Sequence, residues 1–113
     1  MTVKQVKVTE VGPRDGFQSE KTVLKTEDKV DIINHLIEAG FRRIEVSSFV
    51  SPKAIPQLAD AATILDNVKR NSNTTLAALV PNAKGALRAV DAKLDEIVVF
   101  LSASESHNKK NVN

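Results

Sequence analysis

Residues 25–49 read KTEDKVDIINHLIEAGFRRIEVSSF, a helix pattern running directly into a strand pattern. Val30, Ile33 and Ile37 recur at i, i+3 and i+7, reinforced by Ile32 and Leu36, the period of an amphipathic helix. Thr26 stands where an N-cap belongs, and Glu27 and Asp28 fill a first turn in which the helix dipole favours acids. Gly40 marks the C-terminal stop. His35, about 200° around the helix from both Ile33 and Ile37, faces solvent. Phe41–Phe49 then reads as a strand, with β-branched Ile44 and Val46. A helix over Lys25–Ala39 followed directly by a strand is the unit of a parallel α/β fold.

The unit repeats on both sides of this stretch. Val3–Val11 is strand-like, carries Val6, Val8 and Val11, and is stopped by Gly12-Pro13. After the central stretch, Pro56 suits a first helical turn, and Leu58, Ala61, Ala62, Leu65 and Val68 form an apolar stripe. Asn73–Val80 reads as a strand. Pro81-Asn82 offers a cap to a shorter helix striped by Ala83, Ala86, Leu87 and Val90. Glu96–Leu101 (EIVVFL) is the nearly continuous apolar run expected of a strand buried on both faces. The expected class is α/β, with parallel (β/α) repeats forming half of a barrel or a small open sheet.

Composition narrows the functions. The 113 residues make one modest domain, residues 1–113. With 42% hydrophobic and 27% charged residues, neither disorder nor a membrane protein is favoured, and no apolar run approaches the roughly 20 residues of a bilayer helix. The opening residues lack a signal core, so a cytoplasmic protein is expected. There is no cysteine, hence no disulfide, thiolate metal site or Cys nucleophile in this stretch. A net charge of +2 with 4% aromatics argues against a nucleic-acid partner.

In parallel α/β folds the working groups gather at the carboxyl ends of the strands. The first such end carries Arg14 and Asp15. These are either a tight surface turn or a shared site, in which the carboxylate binds a hard cation and the guanidinium holds an oxyanion. Glu45 lies inside an otherwise apolar strand, where it is either an inward carboxylate, costly unless paired with a cation or metal, or an outward, solvated one near the strand end. The last loop carries His107, which alone makes no ligand set, and the basic pair Lys109 and Lys110, read first as an ordinary solvated loop and second as a phosphate contact.

Residues 10–21 (EVGPRDGFQSEK), 44–60 (IEVSSFVSPKAIPQLAD), 77–85 (AALVPNAKG) and 102–113 (SASESHNKKNVN) together resemble the N-terminal part of the hydroxymethylglutaryl-CoA lyases, metal-dependent enzymes on a TIM barrel. That resemblance implies about the first half of a barrel, an architecture of about 250 residues. It also implies cleavage of 3-hydroxy-3-methylglutaryl-CoA to acetyl-CoA and acetoacetate with Mg²⁺ or Mn²⁺. By similarity Asp15 is the metal ligand of this segment and helps in proton transfer. Arg14 neutralises the thioester oxygen as it becomes enolate, and Glu45 holds Arg14 or the metal-bound water. Gln18, Lys21 and Ser48 line the acyl-CoA pocket. The family's His-x-His pair, Asn ligand and Cys loop have no counterpart among these 113 residues. A fragment inactive by itself is therefore expected, from a homo-oligomeric parent. Two alternatives stand beside it: a lyase for another branched 3-hydroxyacyl-CoA, and a non-catalytic interaction module.

Overall fold

The computed structural model describes residues 2 and 4–106. A wide turn over Gly12–Gly16 leads into α1 (Phe17–Ser19), followed by α2 (Thr26–Glu38) and β1 (Arg43–Ser48). A 3-10 turn at Pro56–Leu58 precedes α3 (Ala61–Asn67), β2 (Thr75–Leu79), α4 (Ala83–Asp91) and β3 (Glu96–Val98). The three strands form a parallel sheet in the order β1-β2-β3. The expected α/β class with parallel repeats therefore holds. The core lies on one face of the sheet, where Ile33 and Ile37 of α2 and Ile64 and Leu65 of α3 pack against Ile44, Val46, Leu76 and Ala78. Among the described residues no helix is long and apolar enough to cross a membrane.

Two helices end in the same way. The amides of Gly40 and Phe41 bond back to the carbonyls of Ile37 and Leu36, and those of Lys93 and Leu94 to Val90 and Ala89. Both are Schellman closures, which require a left-handed residue just beyond the cap. Gly40 meets that need at φ +93°, but Lys93 sits at φ +57° with a Cβ. Lys93→Gly is accordingly expected to stabilise the protein by about 0.5–1 kcal/mol, read as a higher denaturant midpoint at unchanged slope.

Several boundaries differ from expectation, each for a physical reason. Among the described residues of the strand expected over Val3–Val11, only Glu10 pairs, in a parallel bridge to Ile44. Val6 and Val8 stay largely exposed, so extending the pairing would bury little apolar surface. The last strand pairs only over Glu96–Val98. Val99, Phe100 and Leu101 lie exposed rather than buried on both faces, since β3 has one sheet neighbour among the described residues. In α4 the buried side is Gly85 and Ala89, while Leu87 and Val90 point outward. The reason is backbone proximity: a Cβ on Gly85 would meet the Phe49 carbonyl oxygen at 2.7 Å, so the helix seats its smallest residues against the loop after β1. In α3, Ile64 takes the place expected for Ala62. Lys25, not Thr26, is the N-cap of α2, because the Thr26 hydroxyl is drawn away to Asp60 at 2.7 Å. His35 is exposed as expected.

Arg43 fastens the far end of the sheet. It donates to Thr9 Oγ1 at 2.9 Å and to the carboxylate of Glu96, whose pKa it holds below the ordinary carboxylate range through that hydrogen bond. This contribution is present at neutral pH and fades as acid protonates Glu96.

Candidate active site

The turn after the first segment is closed by backbone bonds to the carbonyls of Val11, Gly12 and Arg14. Val11 O accepts from the amides of both Arg14 (3.1 Å) and Asp15 (2.7 Å), and Pro13 is buried in the turn. This wide turn carries the Arg14 guanidinium over β1. Its Nε donates to Glu45 Oε1 at 3.3 Å and its Nη1 to Asp15 Oδ1 at 3.2 Å. One planar cation thus spans two carboxylates of opposite character: Glu45 is 8% exposed, whereas the Asp15 side chain is 64% exposed. A carboxylate buried in a strand is costly unless a cation meets it, and Arg14 is that cation. The exposed oxygens of Asp15 remain open to a further partner.

Ser48 reaches the same side of the sheet through an irregularity. The β1–β2 register pairs Glu45 with Ala77 and then Ser47, not Val46, with Ala78, before Ser48 meets Leu79. Neighbours in a parallel ladder share a face. The extra residue therefore places Ser47 with Ala78, on the packed side, and returns Ser48 to the face of Glu45. Ser47 is wholly buried there, and its hydroxyl has no hydrogen-bond partner. Ser47→Ala is expected to leave stability unchanged or raise it by about 1 kcal/mol, since it deletes an unsatisfied group. Thermal unfolding of the two proteins decides this.

The structure brings Arg14, Asp15 and Glu45 into direct contact and puts Ser48 on the face of Glu45. Gln18 lies half-buried in α1, which packs on the Arg14 turn, and Lys21 is exposed just beyond it. His107, Lys109 and Lys110 fall outside the described residues. Sequence reasoning missed Lys29. It is 1% exposed, with Nζ donating to the Gln57 carbonyl and to Asp60 Oδ1 (2.9 Å) and Oδ2 (3.1 Å). The signal was there: Lys29, Ile33 and Ile37 fall at i, i+4 and i+8, which puts the lysine on the buried stripe.

Among the described residues no group of three or more His, Cys, Asp or Glu side chains could hold a metal ion. Asp15 fits as one oxygen ligand of a hard cation, not as a metal site by itself.

Comparison with known proteins gives this rim a context. The family model described as HMGL-like matches residues 5–113. The chain belongs to the HMGL-like family. A hydroxymethylglutaryl-CoA lyase of Bacillus subtilis is 48% identical over 110 residues, 97% of this chain and 37% of the relative. A 3-hydroxy-3-isohexenylglutaryl-CoA/hydroxymethylglutaryl-CoA lyase of Pseudomonas aeruginosa is 43% identical over the same length. Among solved structures, an HMG-CoA lyase from Acinetobacter baumannii in complex with coenzyme A and 3-methylmalate superposes with a TM-score of 0.93 at 47% identity, over 99% of this chain and 37% of that one. The chain thus spans about a third of the length of the relatives it matches, and in those HMGL-like proteins it corresponds to the N-terminal part of a TIM barrel.

Proposed function

We propose that the protein carrying this chain is a cytoplasmic carbon–carbon lyase that cleaves 3-hydroxy-3-methylglutaryl-CoA to acetyl-CoA and acetoacetate. The observation that carries this reading is the Arg14 guanidinium, which bridges a buried and an exposed carboxylate at the rim of a parallel sheet. Residues 1–113 contribute the N-terminal portion of the catalytic domain. The bond between the substrate's hydroxyl-bearing carbon and its thioester-side methylene breaks as the hydroxyl proton departs. The hydroxyl carbon becomes the ketone of acetoacetate, and the electron pair passes into the enolate of acetyl-CoA, which takes up a proton at the former methylene carbon to give acetyl-CoA. Arg14, held in place by Glu45, stabilises the thioester oxygen as that charge develops, an interaction strongest in the transition state. Asp15 takes part in moving the hydroxyl proton and supplies one ligand to a divalent cation, Mg²⁺ or Mn²⁺. When bound, such an ion provides Lewis-acid polarisation of the substrate's oxygens. Gln18, Lys21 and Ser48 face the acyl-CoA.

The test is turnover by the full protein: acetoacetate released from hydroxymethylglutaryl-CoA in the presence of Mg²⁺ or Mn²⁺. Absence of turnover with both ions overturns the reading. A second reading, a lyase for another branched 3-hydroxyacyl-CoA, is favoured by the Pseudomonas relative and its longer acyl group. Exchanging the acyl chain in the same assay separates the two by their kcat/KM.

A further inference from the structure

The loop that runs from Arg14 to Lys21 is fastened at both ends, and only the first fastening belongs to the chemistry described above. At its far end the carbonyl of Glu20, the residue between α1 and Lys21, accepts from Gln57 Nε2 at 3.2 Å. Gln57 lies in the 3-10 turn at Pro56–Leu58, on the loop that follows β1. Its own backbone carbonyl is in turn seized by the buried ammonium of Lys29, which Asp60 also holds. The side chain of Gln57 is thus presented from a fixed base, while Glu20, Lys21, Thr22 and Val23 are exposed. One amide links the rim loop after the first segment to the rim loop after β1.

We propose that Gln57 is a positioning residue for acyl-CoA binding: by holding the Glu20 carbonyl it sets the approach of Gln18 and Lys21. This rests on the lyase reading above. The tether leaves the Arg14–Glu45 contact untouched, because that contact is made at the opposite end of the loop through different atoms. Binding should therefore weaken while chemistry does not. Removing Gln57 affects ground and transition states alike, which raises KM and spares kcat.

Two variants test this in the full protein. Gln57→Ala deletes the amide. Gln57→Glu keeps its size but turns the donor into a carboxylate facing a carbonyl, and both retain the backbone oxygen that Lys29 needs. Expected are a KM for the acyl-CoA raised about fivefold in Gln57→Ala, the factor one uncharged hydrogen bond commands, and at least as much in Gln57→Glu. In both, kcat should stay within about twofold, and hydrogen exchange over residues 17–22 should be faster without substrate. Unchanged KM, a kcat that falls instead, or unaltered exchange over that segment each overturns the proposal. If the parent protein exchanges as expected but turns over no acyl-CoA, the lyase reading fails while the tether stands.

Discussion

Arg14→Gln is expected to lower kcat about 10²–10³-fold, or roughly 3–4 kcal/mol of transition-state stabilisation, the usual loss when one preorganised donor to a developing oxyanion is removed. The size of the effect follows from the placement of the guanidinium. Its Nε is spent on buried Glu45 and its Nη1 on exposed Asp15, so the group is locked in orientation before substrate arrives. On the proposed lyase reading, charge that develops on the thioester oxygen then meets a cation that need not reorganise. Glutamine retains a donor towards Glu45 but not the charge or the fork. Arg14→Lys should be nearly as impaired, because a single ammonium cannot make the planar two-carboxylate contact. KM should move far less than kcat in both variants. Steady-state kinetics of the full protein with hydroxymethylglutaryl-CoA decide the matter: ordinary turnover in Arg14→Gln would remove Arg14 from the chemistry while leaving the family assignment intact.

How much of this was legible depended on where the stabilising interaction lies. The helix read over Lys25–Ala39 was found as Thr26–Glu38, because its periodicity and its Gly40 stop are local properties of the chain. The Arg14–Glu45 contact was half legible: a carboxylate among Ile44, Val46 and Phe49 demanded a cation, although nothing in the spacing named which one. The orientation of Ser48, implied by the family resemblance, was not legible in the strand's alternation. Strict alternation from Glu45 turns Ser47 to the same face and Ser48 away, and only the register slip between Glu45 and Ser47 reverses this. The same holds for Lys93, whose left-handed backbone is dictated by the closure of α4 and not by any preference of lysine. Strand ends suffered most. The alternation of Val6 and Val8 describes a strand whose pairing, among the described residues, reaches no further than Glu10. Local pattern reports what a segment can form, whereas extent is set by neighbours far away in sequence.

Asp60→Ala is expected to destabilise the protein by about 3 kcal/mol, because it leaves the buried Lys29 ammonium without its carboxylate partner. Lys29 is 1% exposed, and its ammonium is met by both Asp60 oxygens and one carbonyl. Breaking a buried pair by deleting one partner typically costs about 3–5 kcal/mol. The lower end applies here, since the Asp60 side chain is one-fifth exposed and the Gln57 carbonyl stays as an acceptor. The Thr26 hydroxyl loses its acceptor at the same stroke. Lys29→Met should be milder, because a flexible apolar side chain of similar length fills the space beside Ile33 without leaving a buried charge. The double variant should then lie closer to Lys29→Met than to Asp60→Ala, the reverse of additivity for two independent sites. Denaturant unfolding of the four proteins closes the cycle. Losses that simply add would mean that Lys29 and Asp60 are neighbours without being partners, and that the base from which Gln57 reaches Glu20 is held by packing alone.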